Sequence, residues 1–163
     1  MTATLDTSRR HFAEDMGIAL ERAGFPRMAG RIVGILMITT ENEVPTEELA
    51  RVLGASRGSL STMTRMLVDQ RIIERAGKPG ERRDYFRIRS GAWTAFLRTR
   101  LQEVTSFHLM VENGLHIVSN KEHAPYARLQ QLHEFYEFFQ KEFEAMLDRW
   151  EHRKRRASKR RGL

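Results

Sequence analysis

The chain has no cysteine, which excludes disulfides, thiolate zinc sites and thiol-based redox sensing together. It has no apolar run near the length that crossing a bilayer requires, and nothing ahead of Met16 reads as a secretory leader. A cytoplasmic protein with no membrane partner is the expectation. Also missing is any constellation for bond-making chemistry: no nucleophile elbow, no phosphate-cradling glycine loop, no paired carboxylates of a catalytic cleft. No catalytic residue and no cofactor are therefore expected, and the chain does not read as an enzyme. His108, Glu112 and His116 recur at every fourth position, the spacing by which a helix offers metal ligands. The other histidines, His11, His123, His133 and His152, are scattered and do not join them predictably, so no metal site is expected.

What the sequence does have is an ordinary globular composition and an unevenly placed charge. Its 163 residues, 40% of them hydrophobic, suit one domain or a domain with an appendage. The net charge is +7. Residues 51–89 hold ten basic and four acidic side chains, and residues 153–161 hold seven basic and none acidic, while the stretches on either side of 51–89 are each slightly acidic. The body is thus nearly neutral with one basic segment, a polarity that orients an approach to phosphate.

That basic segment opens with two short helices meeting at a tight turn. Thr46 can cap the first, Glu47 and Glu48 suit its positive end, and Gly54 ends it in the left-handed conformation. Ser56 can cap the second. There Leu60, Met63, Thr64 and Leu67 share one face, with Gly58, Ser61, Thr62, Arg65 and Asp69 on the other. The outward face is small and polar at its start, which lets a helix lie close in a DNA major groove with hydroxyls and a guanidinium at base edges. An ordinary helical hairpin with a solvated face has the same polarity; the turn spacing, with Leu49, Ala50, Leu53, Gly54, Ala55, Leu60 and Met63 in register, favours the helix-turn-helix. Two strand candidates follow, Arg71 to Arg75 and Asp84 to Ile88, around a turn containing Gly77, Pro79 and Gly80. Lys78, Arg82 and Arg83 put three cations near the tip of this wing, an arrangement a phosphate backbone or minor groove rewards more than solvent does. Val44 can add one short strand.

Around this unit the expected elements are helical. Residues 1–8 read as weakly ordered. A helix from Arg9 to Ala23 precedes Gly24, and Pro26 opens a second, running to about Thr39 and apolar on most sides, in which Gly30 and Gly34 can admit another backbone. Ser90 can cap a helix reaching about Ile117, some 40 Å long and more than a small domain needs for its own core. After a loop from Val118 to Ala124, Pro125 reopens a helix to Trp150. In it Leu129, Leu132, Tyr136, Phe139, Phe143, Met146 and Trp150 form a seam, widened by Phe135 and Phe138. The long helices, with the first helix, read as a dimerisation layer; packing within one chain would account for part of the same stripe. The basic end, too charged to fold alone, reads as a trailing arm that adds sequence-independent DNA affinity or simply solubility.

The fold class is therefore mainly α with a small β wing. The expected division is residues 1–24, an N-terminal dimerisation helix; 25–89, a winged helix-turn-helix domain; 90–150, long dimerisation helices; and 151–163, a basic disordered tail.

The run from Arg27-Met28-Ala29-Gly30-Arg31 through Glu47-Glu48-Leu49-Ala50, Ser61-Thr62, Arg65-Met66-Leu67, Ile73-Glu74-Arg75 and Arg82-Arg83-Asp84-Tyr85-Phe86-Arg87 resembles the MarR superfamily of winged-helix regulators. It lies nearest the GbsR-like branch, which includes an actinobacterial repressor of lipid and drug efflux pumps. The resemblance spans roughly residues 9–117. It implies a homodimeric repressor that reads palindromic double-stranded operator DNA and is released by a small amphipathic or lipid-like effector. The family's groove-reading positions correspond to Arg57, Ser61, Thr62 and Arg65, flanked by Gly58 and Ser59, and its wing arginines to Arg82 and Arg83. Where many relatives have aspartate before those arginines this chain has Glu81, which bears on the usual wing salt bridge. The resemblance also puts an effector site where the reading domain meets the dimerisation helices, among Phe25, Met28, Ile32, Leu36, Trp93, Phe96 and Leu97, with Arg100 as a polar anchor. Core packing is the better explanation for any one of these residues taken alone. The rival function is a non-specific architectural or nucleoid DNA-binding protein held mainly by its basic tail.

Overall fold

The computed structural model describes residues 2–118 and 123–160. Its elements are α1 (Thr2–Arg22), α2 (Arg27–Ile38), β1 (Val44–Pro45), α3 (Thr46–Leu53), α4 (Arg57–Asp69), β2 (Ile73–Ala76), β3 (Tyr85–Ile88), α5 (Ala92–Ile117) and α6 (His123–Arg160). They form two compact units that divide between Ala95 and Phe96, inside α5 and a few residues beyond the expected boundary at residue 90.

The first unit is built around α2. Its Ala29, Ile32 and Val33 are fully buried, together with Leu49 of α3, Leu60 and Leu67 of α4, and Ile72 and Ile73 at the start of β2. The larger of these, Ile, Leu and Val, are each worth about 1.5–3 kcal/mol when removed from water and hold the helices to one another. α1 packs on α2 through its smallest side chains. A Cβ added at Gly30 would stand 2.8 Å from both Gly17 Cα and Met16 O, and one at Gly34 would stand 2.9 Å from Ala13 Cα. The two backbones therefore touch. Glu14 of α1 faces Arg31 and Arg27 of α2 at 2.6 and 3.4 Å.

The sheet is antiparallel in the order β1-β3-β2, with Val44 opposite Phe86 and Arg75 also opposite Phe86 on the other side. Val44 thus adds the short third strand expected of it. The strand after α4 starts at Ile73 rather than Arg71, because Arg71 takes the left-handed conformation (φ 57°) and the Ile72 N–H returns to Leu67 O, the bond that closes a helix end.

Helix boundaries differ from the expectation at several points, and α6 opens at His123, two residues before Pro125. α1 begins at Thr2, so the stretch before Arg9 is helical. Thr46 is the first residue of α3 and not its cap, which is Pro45; the Thr46 hydroxyl instead donates to Asp84 O at 3.0 Å, as does its N–H, tying the helix start to the sheet. α6 does not stop at Trp150 but continues through Arg160. Nothing in residues 151–160 breaks a helix, Glu151 reaches Arg155 one turn on, and cations suit a helix C-terminus. The residues beyond Arg160, and most of the Val118–Ala124 connection, lie outside the described residues.

The second unit is an antiparallel pair of long helices. Phe107 of α5 meets Tyr136 of α6 with ring centroids 5.0 Å apart, and nearer the far end Arg98 binds Asp148 and Glu151 at 3.2 and 3.1 Å. Those two carboxylates hold the Arg98 guanidinium above its ordinary pKa, the Glu151 hydrogen bond contributing most. Leu101, Val111 and Leu147 are buried between the helices. Leu147, not the expected Met146, closes the seam; Met146 and Trp150 point to solvent.

Candidate nucleic-acid interface

The two helices of the motif are set by three bonds, two of them local. Gly54 is left-handed (φ 60°) and ends α3, and the Ala55 N–H returns to Ala50 O at 3.1 Å. Arg31 of α2 donates to Leu53 O at 3.0 Å, satisfying a carbonyl that the helix end leaves open. Ser56 caps α4 by accepting from the Ser59 N–H at 3.2 Å. Each fixes the angle at which α4 leaves the turn.

α4 then presents the face the sequence assigns to it. Leu60, Thr64 and Leu67 are buried, and the Thr64 hydroxyl donates back to Leu60 O. Arg57, Gly58, Ser61, Thr62 and Arg65 are exposed, and Ser59 is half-buried. Ser61 and Arg65 line a shallow cleft of about 190 Å³ with Thr46, Arg75 and Asp84. Arg75 was not among the expected contacts. The basic excess of residues 51–89 signals it only collectively, since nothing in its local pattern sets it apart.

The wing places its cations unequally. Arg83 pairs with Glu81 at 3.3 Å, so the longer acid at this position still makes a wing salt bridge. Glu81 also accepts the Tyr85 hydroxyl in a very short hydrogen bond. That bond holds the Glu81 carboxyl below its ordinary pKa, with help from Arg83 and Lys78, and holds the Tyr85 phenol above its own. Lys78 lies over the Tyr85 ring, 4.4 Å from its centre. On β3, Arg87 is held by Glu74 at 2.6 Å and Glu43 at 2.9 Å, and these hydrogen bonds, Glu74 first, raise its pKa further. Arg57, Arg65 and Arg82, by contrast, have no acidic partner among the described residues. A phosphate or a guanine edge meets these three without displacing a carboxylate.

The residues assigned to an effector site do different things. Phe25, Ile32 and Leu36 are buried in the core of the first unit, Met28 is half-buried beside them, and Trp93 is 40% exposed. Phe96, Leu97 and Arg100 belong to the second unit, where Arg100 pairs with Glu103 at 2.7 Å and lies over the Phe96 ring.

Among the histidines, His133 of α6 was missed by the sequence reading because it approaches from another helix. It joins His108 and Glu112, and His116 stays exposed outside the group. No helix among the described residues is long and apolar enough to cross a membrane.

The chain is similar to known transcriptional regulators. Residues 91–153 match the family model described as MmpR5-like MarR family transcriptional regulator. The chain is 37% identical over 123 residues to the HTH-type transcriptional regulator MmpR5 of Mycobacterium tuberculosis, covering 76% of this chain and 73% of that one. It is 23% identical over 93 residues to the HTH-type transcriptional repressor OpcR of Bacillus subtilis, covering 57% and 50% of the two chains. A solved structure titled as a transcriptional regulator superposes with a TM-score of 0.72 at 31% identity, covering 89% of this chain and 99% of that one.

Proposed function

The chain belongs to the MarR family of helix-turn-helix transcriptional regulators, which are not enzymes, and from that premise we propose that it acts in the cytoplasm as a homodimeric, sequence-specific repressor, nearest the GbsR-like branch. The single observation that carries the reading is the face of α4: Arg57, Ser61, Thr62 and Arg65 exposed together, with both guanidiniums free of acidic partners among the described residues. Two copies related by a two-fold axis put two such helices into successive major grooves of a palindromic operator, roughly 34 Å apart. Arg82, at the wing, grips flanking phosphate or minor groove.

Dimerisation is supported by the second unit, which leaves Phe107, Leu109, Met110, Phe135 and Phe138 exposed, more apolar surface than a solvated helix pair needs. OpcR carries the word repressor in its name, which favours repression over activation. Release by a small amphipathic or lipid-like effector follows from the family resemblance. Within the first unit, Phe25, Ile32 and Leu36 are committed to the core, which leaves Trp93 as the apolar side chain exposed to meet one.

The test is selection of bound fragments from random DNA, followed by Arg65→Ala. A recovered palindrome is expected, and the variant should lose about 10–100-fold in affinity for it while keeping its affinity for scrambled duplex. Equal affinities of the variant and the parent protein for both duplexes would remove Arg65, and with it the reading of α4, from the interface.

A further inference from the structure

The geometry points to a binding site for a divalent transition-metal ion between α5 and α6, with His108, Glu112 and His133 as its ligands. It stands apart from the DNA reading and does not depend on it.

Nε2 of His108 and Nδ1 of His133 face one another at 2.9 Å. With a carboxylate oxygen of Glu112 they form a group whose ligand atoms all lie within 4.8 Å of one another. Two nitrogens bound to one tetrahedral zinc ion stand roughly 3.3 Å apart, given Zn–N bonds of about 2.05 Å. The rings therefore need to part by only a few tenths of an ångström to admit the ion. The carboxylate, on a flexible side chain, has the larger distance to close. His108 and Glu112 are one turn apart on α5, so one helix face supplies two ligands and α6 supplies the third.

Left without an ion, the site is an awkward one. Two ring nitrogens aimed at each other share a single proton, and His108 is only 9% exposed, so it is drawn into the seam of a unit that has few other buried side chains. An apolar pair would pack there with less desolvation. An ion accepts a lone pair from each ring, and the carboxylate offsets part of its charge.

Beside the histidines lies an open cleft of about 520 Å³, lined also by Glu137, Lys141 and Glu144. It provides the entry path, and room for water at the fourth position. Two imidazoles and a carboxylate are ligands of intermediate hardness, suited to zinc and its first-row neighbours rather than to calcium or magnesium. A chain with no cysteine offers these ions no competing thiolate.

The test uses the full chain, free of any affinity tag, titrated with Zn²⁺ against a chromophoric chelator, and with Co²⁺ while visible absorption is followed. One equivalent of Zn²⁺ per chain is expected, with the intense visible bands of tetrahedral Co²⁺. His108→Ala and His133→Ala should each weaken Zn²⁺ binding about 10–100-fold or more, and Glu112→Gln, which leaves the histidine pair intact, at least about tenfold. His116→Ala, exposed and outside the group, should bind as the parent does. Should His108→Ala fail to fold, Glu112→Gln and His133→Ala decide the matter. Parent protein that holds Zn²⁺ no more tightly than these two variants, or loss in His116→Ala equal to theirs, would leave a histidine–histidine hydrogen bond only and overturn the proposal.

Discussion

The two units of this molecule satisfy their apolar side chains differently. In the first, a central helix and the small elements around it bury Ile32, Val33, Leu49, Leu60, Leu67, Ile72 and Ile73 almost completely. In the second, few side chains are buried, while Phe135 and Phe138 are 58% and 65% exposed and Ile117 is 83% exposed. The first unit buries a full core within one chain. The second has a core on one side and an exposed apolar face on the other, the face that the proposed dimer would cover. The lesson is that the well-buried core and the exposed apolar surface lie in different parts of the sequence, so that the proposed association can be tested without touching the core.

The most direct way to break this contrast is on the exposed face of α6. Phe135→Glu combined with Phe138→Glu should weaken self-association by about 100-fold or more, read by sedimentation, because two large apolar contacts become buried charges. The circular dichroism of the first unit's helices should be unaffected. A variant that remains as tightly paired as the parent would assign these phenylalanines to solvent and the dimer contact elsewhere.

A second comparison sharpens the contrast through glycine. Gly30→Ala places a methyl group 2.8 Å from the backbone of α1, which has no rotamer to change, so overpacking outweighs the gain of about 1 kcal/mol in helix propensity. A net loss of about 1–3 kcal/mol is expected in urea unfolding. Gly114→Ala meets only the flexible methyls of Leu129, at 3.3 Å, and should be neutral or slightly stabilising. Equal effects at the two sites would mean that the first unit is packed no more tightly than the second.

The smallest expected effect lies at the wing, where the fold is neither core nor interface. The Tyr85–Glu81 bond lowers the carboxyl pKa and raises that of the phenol. The carboxylate's contribution is therefore present above the ordinary carboxylate range and lost as pH falls through the lowered value. The phenol's is present below about pH 10 and lost as pH rises through the raised one. Backbone chemical shifts of residues 78–85 should hold constant between these limits and move at both ends. Tyr85→Phe should abolish the alkaline movement and bring the acid one to higher pH, with no measurable change in the unfolding midpoint.

How far the sequence disclosed these features depended on whether the determining contact was local. Gly54, the Ser56 cap and the polar face of α4 are each set within a few residues, and each is where periodicity and turn chemistry put it. The misses depend on something distant or on geometry that a fixed repeat does not follow. Thr46 is drawn into the helix by Asp84, 38 positions away. Leu147 rather than Met146 enters the seam because a straight helix drifts from spacings of three and four over about five turns. His133 reaches His108 across 25 residues, a pairing no single-helix pattern contains. At the interface, the sequence supplied three wing cations and Glu81 as the acid beside them, but not which arginine that acid takes: Arg83 is tied to Glu81, while Arg82 has no acidic partner among the described residues.

The meeting of α1 with α2 at Gly17, Gly30 and Gly34 has one further consequence. Where the backbones meet at Gly30 and Gly34, little side chain stands between them to change rotamer, so the contact there has little means of loosening by degrees. Thermal fluctuations must either leave the two helices joined or part them at once, and their slowest-exchanging amide hydrogens should therefore be released at a common rate, as a single cooperative unit.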